Sequence, residues 1–390
     1  MLPTIAKRMN DVQFSKIREL SEKARQLDAS GVPVYSLTLG EPDFDTPEPA
    51  QKAAINAMRD GDTHYTPNHG IPALREALAQ KLLNDNGIRA EADEIIVTAG
   101  GSEAVLNTLL AILNPGDEVL IPSPAWPNYE SAAHLAGATP VHIPLSKIDK
   151  RLSVDFKTIE AHITPKTKML IVNSPHNPTG LVMTKEEIHQ LANIAKKHNL
   201  IVLSDEMYEK IISDGTEHVS IASLPGMAER TVTVNGFSKA YAMTGWRIGY
   251  LHAPSPLYQG IFRVHQFNTA CVPAFTQKAA LAAMERAGDV LEYMRHSFAL
   301  RRTLLADALS GTEQLQVMEA TGAFYLFVRV HHQEANIRDF ALRLLEDTGV
   351  ATVPGTAFGD AGEGYLRLSY AASDDVLLEA AKRLVNYVSH

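Results

Sequence analysis

The chain has 390 residues, 45% of them apolar and 21% charged, with a formal charge of -9. That composition excludes a mainly disordered protein, and the length allows about two or three domains with a core large enough to need no staples. The balance of 45 acidic against 36 basic side chains offers no basic field for a nucleic-acid backbone, and no apolar run approaches the roughly 20 residues of a membrane span.

Residues 14 to 29 place Phe14, Ile17, Leu20, Ala24 and Leu27 three or four apart before Gly31, which predicts an amphipathic helix with a glycine stop. A short strand over 34–39 leads into the turn-rich Gly40-Glu41-Pro42-Asp43-Phe44-Asp45-Thr46-Pro47. From about residue 50 to 285, short apolar runs recur at 94–98, 118–121, 168–172, 200–204, 231–234 and 247–251. Helical stretches such as 102–113 and 184–198 separate most of them, the second opened by a capping-box pattern of Thr184 and Glu187. Such alternation predicts a mainly parallel sheet between layers of helices. After 290 the texture changes to a helix over 290–309, a strand over 323–330, a helix over 337–347, a strand over 365–369 and a last helix capped by Ser373. This is the pattern of a smaller α+β lobe with which the N-terminal helix packs. The expected domains are therefore 45–290, and 1–44 together with 291–390.

Four segments carry chemical character of their own. Lys239 stands in the small-residue turn Asn235-Gly236-Phe237-Ser238-Lys239-Ala240, directly after an apolar strand, and Arg247 follows eight residues later. Desolvation and a neighbouring cation lower an ammonium pKa, and only the neutral amine attacks a carbonyl. Asp205 ends a buried strand, where α/β sheets place their ligands and where a carboxylate needs a cationic partner. Thr98-Ala99-Gly100-Gly101-Ser102-Glu103 joins a strand to a helix, and a glycine-rich helix start is a ready phosphate cradle. Arg367 puts a charge inside the apolar strand Tyr365-Leu366-Arg367-Leu368-Ser369, and its planar fork matches a carboxylate with two hydrogen bonds.

Together with Asn177-Pro178-Thr179-Gly180, Pro124-Ala125-Trp126-Pro127 and His64-Tyr65-Thr66-Pro67, these motifs resemble, in order and over nearly the whole chain, the pyridoxal-phosphate-dependent aminotransferases of class I/II. The resemblance is to the bacterial aspartate/aromatic subgroup. It implies fold type I, with a seven-stranded, mainly parallel sheet in the large lobe, and pyridoxal 5'-phosphate as cofactor. Lys239 would hold the cofactor as a Schiff base and act as the proton-moving base. Asp205 would face the pyridine nitrogen, while Tyr208 and Asn177 would bond the ring's phenolate oxygen. Gly101, Ser102, Glu103, Ser238 and Arg247 would form the phosphate site, Gly236 standing where the family often has serine. Trp126 would stack on the ring. Arg367, Asn177 and Gly40 would take the substrate carboxylate. Tyr65 would reach the phosphate of the neighbouring subunit, which makes the expected active unit a homodimer with shared active sites.

The implied reaction is amino-group transfer between an L-amino acid, with aspartate a candidate, and a 2-oxo acid such as 2-oxoglutarate. Alternatives are a lyase, decarboxylase or synthase using the same cofactor, and an aminotransferase-like sensor domain of a transcription regulator. A nicotinamide oxidoreductase would need a Gly-x-Gly-x-x-Gly turn that the Gly100-Gly101 segment does not match. Arg18, His176, Arg263 and His265 are candidate specificity contacts. No metal is expected: the single cysteine, Cys271, builds no thiolate site and no internal disulfide. With an N-terminus lacking an apolar signal segment, it points to a cytoplasmic protein.

Overall fold

The computed structural model describes residues 5–390 apart from 15, 214 and 332–335. A 3-10 turn at Lys7–Asn10 precedes α1 (Lys16–Ala29) and the two-residue strand β1 (Tyr35–Ser36). The alternating stretch contains β2 (Ile95–Thr98), β3 (Glu118–Ser123), β4 (Thr139–Pro144), the hairpin of β5 (Ser146–Ile148) and β6 (Arg151–Ser153), then β7 (Thr167–Asn173), β8 (Ile201–Asp205), β9 (Thr231–Gly236) and β10 (Gly249–His252). Its helices are α2 (Glu48–Arg59), α3 (Pro72–Asn86), α4 (Gly101–Ile112), α5 (Pro127–Leu135), α6 (Phe156–Ala161), α7 (Lys185–Lys197), α8 (Ser255–Asn268) and α9 (Ala274–Arg286). Then come α10 (Gly288–Leu309), β11 (Leu315–Val317), β12 (Tyr325–Val330), α11 (Ile337–Thr348), β13 (Val350–Ala351), β14 (Val353–Pro354), β15 (Tyr365–Ser369) and α12 (Asp374–Ser389).

Seven strands form one sheet in the order β2-β10-β9-β8-β7-β3-β4. All neighbours are parallel except β10, which runs antiparallel to both β2 and β9. The central strands are buried on both faces because helices cover both, so they read as continuous apolar runs rather than alternating ones. Clusters around Leu109 and Ile171 on one side, and around Leu170 and Leu191 on the other, fill the space between sheet and helices. Each such side chain contributes roughly 1.5–3 kcal/mol through burial. A second sheet, β11-β12-β15-β14, has its own core around Phe298, Phe324 and Leu368. Helix α1 lies against this lobe through Ala24, which clusters with Leu345 and Ala351.

Three local expectations are revised. The strand expected over 34–39 shrinks to Tyr35–Ser36, paired with β13, because Leu37 then donates to Ala351 and accepts from Ser369, changing ladders. The sheet gains the edge strand β4, whose two prolines weaken the strand signal but are tolerated where only one side needs a partner. Ser373 sits at the N-cap position of α12 without a side-chain capping bond. The Thr184–Glu187 box at α7 forms in both directions, at 3.2 and 2.8 Å.

Candidate active site

Parallel strands end on one edge of the large sheet, so the residues that follow β2, β7 and β8 meet there, at the seam with the small lobe. Gly101, Ser102, Trp126, Asn177, Asp205 and Tyr208 line one cleft of about 220 Å³. Ser238, Lys239 and Arg247 enter it from the connection between β9 and β10, and Gly40 and Arg367 close it from the other side.

The lysine connection is a tight loop. Phe237 donates to Ile248 at 3.3 Å, Tyr241 donates to Phe237 at 3.3 Å, and Phe237, Met243 and Ile248 are buried beneath it. Lys239 Nζ donates to the carbonyl of Gly40. Burial lowers the ammonium to about 8; Glu41 and Asp205 pull it back, while Arg367 and Arg247 add to the fall. A sizeable neutral fraction near neutral pH is what a nucleophilic or proton-moving amine requires.

Asp205 is buried at the end of β8. Its Oδ2 accepts from the Tyr129 hydroxyl at 2.6 Å and its Oδ1 from the Met207 amide at 3.1 Å. Burial pushes its carboxyl above the ordinary value, and those two bonds only partly offset the push. Asn173 ties the floor together, donating to the Asp205 carbonyl at 2.9 Å and accepting from the Asn177 amide at 3.1 Å. Next to Asp205, Glu206 accepts from Ser204, Ser220 and Asn86, and Glu209 from Asn86 and Lys81. Glu206, Glu209 and His218 are spaced closely enough to hold a metal ion, but the Lys81 ammonium and the Asn86 amide already sit among them.

The anion cradle is made by backbone. Gly100 has φ +84, and a Cβ there would stand 2.6 Å from Arg247 Nη2. Glycine therefore lets the guanidinium lie on the start of α4. Arg247 itself is held at φ 50, a strained conformation for a side-chain-bearing residue, with Nη1 donating to the Thr244 carbonyl at 2.9 Å. Gly236, in the serine position of the resemblance, packs against Gly249, whose Cα a Cβ would approach to 3.0 Å.

Arg367 is only 2% exposed. Its Nη1 donates to Asn177 Oδ1 at 3.2 Å and its Nη2 to the Thr38 carbonyl at 2.9 Å, while Nε is buried without a partner. The guanidinium lies 4.3 Å from the ring centre of Tyr325 and 4.9 Å from that of Phe358. Tyr208 Oη is 2.9 Å from Tyr325 Oη, and burial raises both phenols, which stay protonated. Tyr129, Asn173, Tyr325 and Phe358 were not singled out in the sequence.

Other expected contacts lie elsewhere. Glu103 is buried away from the cleft, its carboxylate taken by the Ala99 amide, Asn107 and His265. His265 is correspondingly enclosed and reads no substrate. His176 is buried with Nδ1 2.7 Å from Thr179 Oγ1, a loop histidine lowered to about 4 by burial. Arg263 is exposed and does not line the cleft. The Arg18 side chain lies outside the described ones. Tyr65 is 92% exposed and absent from the cleft of its own subunit.

A poised amine between an anion cradle and an unsatisfied guanidinium defines a class: enzymes that work on amino acids through a phosphorylated carbonyl cofactor. A protonated pyridine ring with a phosphate fits the donor set, because Asp205 is buried with no cation bonded to it among the described residues and Gly101 and Ser102, at the start of α4, line the cleft beside Arg247. The family model for aminotransferases of class I and II matches residues 32–384, and the chain belongs to that family. It is 45% identical over 381 residues to an aspartate aminotransferase of Pyrococcus abyssi, covering 97% of this chain and 96% of the relative. It is 42% identical over 384 residues to aromatic-amino-acid aminotransferase 2 of Thermococcus litoralis, covering 97% of each. Among solved structures, aspartate aminotransferase of Thermus thermophilus with maleate superposes with a TM-score of 0.93 at 39% identity, covering 99% of this chain and 100% of the other. The protein is a pyridoxal-phosphate-dependent aminotransferase of fold type I, moving an amino group between an amino acid and a 2-oxo acid. No helix among the described residues is long and apolar enough to cross a membrane.

Proposed function

We propose that this cleft transaminates L-amino acids with aromatic or aliphatic side chains, using a 2-oxo acid such as 2-oxoglutarate as acceptor, in a cytoplasmic homodimer. The observation that carries the reading is Arg367, a buried guanidinium with a free Nε across the cleft from Lys239. Arg367 and Asn177 bind the substrate's α-carboxylate, which fixes the orientation of its Cα. Lys239, as the neutral amine, moves the proton at Cα. The bound cofactor supplies an electron-withdrawing ring that stabilises negative charge at that carbon. Asp205 would provide the opposing charge for a protonated ring nitrogen, Tyr208 and Asn177 would bond the ring oxygen, and Trp126 would pack against the ring. The cradle of Gly101, Ser102, Ser238 and Arg247, which line the cleft together, would take the phosphate.

Ile17 and Trp126 supply the apolar wall for the substrate side chain. Among the described residues, the cations lining the cleft are Lys239, Arg247 and Arg367, and the roles above engage all three. Aspartate is the second reading, favoured by the name of the Pyrococcus abyssi relative. Tyr65 projects outward to serve the partner's phosphate, a role supported by its near-complete exposure. The division into 45–290, and 1–44 with 291–390, belongs to the same reading and is supported by the separate cores of the two sheets.

Half-reaction rates for phenylalanine, tyrosine, leucine, glutamate and aspartate, each followed by the change in cofactor absorbance with the amino acid alone, test this. Fastest turnover of the first three is expected. Aspartate ahead of them would overturn the apolar reading, and no absorbance change with any donor would return the lyase alternative.

A further inference from the structure

Glu103 and His265 form a buried pair to which the chemistry of the cleft gives no role. Glu103 stands in the first turn of α4, two residues after the glycine that opens it. His265 lies in the last turn of α8 and has no exposed surface. Its imidazole is engaged on both sides, with Nδ1 2.7 Å from Glu103 Oε1 and Nε2 2.8 Å from the carbonyl oxygen of Asn68. A peptide carbonyl has no proton to give, so Nε2 carries one. Glu103 already accepts from the Ala99 amide at 2.5 Å and from Asn107 at 2.9 Å. Burial pushes the Glu103 carboxyl up, yet the bonds from His265 and Ala99 outweigh it and hold the carboxyl below its ordinary range. Each ring nitrogen thus has one oxygen within hydrogen-bond reach, and the imidazole bridges Glu103 and Asn68.

The two acceptors belong to different parts of the site. Ala99, which Glu103 holds, is also the residue whose carbonyl accepts from Arg247 Nη2 at 3.4 Å, at the lip of the phosphate cradle. Asn68 lies in the connection between α2 and α3 that presents Tyr65 outward. The rest of that connection is anchored separately. Gln277 donates to Thr66 Oγ1 at 3.0 Å and accepts from the Ile71 amide at 2.8 Å, and the His69 carbonyl accepts from the Val97 amide at 3.0 Å. The ring of Phe262 packs between His69 and His265, with ring centres 5.6 and 6.4 Å away.

We propose that His265 is a positioning residue for two phosphate contacts at once: the cradle of its own subunit, through Glu103, and the Tyr65 loop that serves the neighbouring subunit, through Asn68. The second arm rests on the reading of Tyr65 given above. One side chain thereby links the two active sites of a dimer.

The two arms separate by substitution. His265→Asn keeps an amide donor where Nδ1 stands and withdraws the one at Nε2; His265→Gln does the reverse. Hybrid dimers with Lys239→Ala in one subunit leave a single lysine-bearing site, whose dissociation constants for pyridoxal phosphate and for phosphate-free pyridoxal are measured. Loss of one buried hydrogen bond corresponds to up to about tenfold in affinity. His265→Asn placed in the Lys239→Ala subunit is expected to weaken pyridoxal phosphate at the neighbour's site by about that factor, with pyridoxal unchanged. His265→Gln is expected to do so only in the lysine-bearing subunit itself, which also tests the first arm should the Asn variant not fold. Losses that follow pyridoxal equally, or no loss across the interface while Tyr65→Phe in the same subunit produces one, would overturn the proposal. If Tyr65→Phe itself has no effect on the neighbour, it is the Tyr65 reading that falls, and the second arm with it.

Discussion

The two walls of the cleft bury charge in opposite ways. On the large-sheet side, Asp205 has both oxygens engaged, by Tyr129 and the Met207 amide, and Glu206 beside it sits in a net of Ser204, Ser220, Asn86 and His218. On the small-lobe side, Arg367 pairs with no carboxylate among the described residues, rests on two aromatic rings and keeps Nε unsatisfied. A buried charge without a counter-ion is costly, by several kcal/mol in general; a resident ring cation would relieve it at Asp205, and an incoming carboxylate relieves it at Arg367. The contrast separates a wall prepared for a resident group, built before anything binds, from a wall left incomplete for a molecule that comes and goes.

The largest expected effect comes from the residue between the walls. Lys239→Ala removes the amine, and turnover should fall by roughly 10²–10⁴-fold from the lost proton transfer alone, together with the absorbance of covalently held cofactor, while far-UV circular dichroism stays that of the wild type. An active, yellow variant would break the assignment. In the unsubstituted apoprotein the amine becomes neutral as pH rises through about 8, so its rate of attack on a simple aldehyde should climb over that range and level off above it.

Arg367→Ala tests the incomplete wall alone. Affinity for amino and oxo acids should drop by about 2–5 kcal/mol, the range for truncating one partner of a buried charge pair, with pyridoxal phosphate binding unchanged. Arg367→Lys should recover little, because a point charge does not reproduce the planar fork. If the cofactor is lost together with the substrate, the two walls are not separate devices.

How much of this was legible in the sequence follows from the range of the interactions. A strand followed by a small-residue turn places what comes next at the carboxyl edge of a parallel sheet, so Asp205, Asn177 and the Gly100–Gly101 turn could be brought to one edge from local pattern. The partners that complete them come from far along the chain and carry no local mark: Tyr129 lies 76 residues from Asp205, and the Thr38 carbonyl 329 from Arg367. Glu103 misled because a glutamate in the first turn of a phosphate-type helix reads as part of the ligand site. Its side chain instead turns back on Ala99 and inward to His265, 162 residues away. The edge strand β4 was hidden by its own prolines, whose missing donors matter only to a strand with two neighbours.

The smallest effect concerns the finished wall. His176 occupies the turn that carries Asn177, buried and lowered to about 4 by loss of solvent, against an ordinary 6.5. The unfolded chain therefore binds a proton as pH falls through about 6.5 that the folded chain refuses until about 4, so stability is lost across that window and is fully present above it. The group's share of the loss is at most about 3 kcal/mol. His176→Gln removes the titrating group, and its urea midpoint should vary less than the wild type's between pH 4 and 6.5 while the two curves run parallel above pH 7. If the wild type and the variant run parallel below pH 6.5 as well, His176 is not the refused proton. If His176→Gln instead raises the KM for amino acids, the side chain belongs to the open wall and the line between the two walls has to be moved.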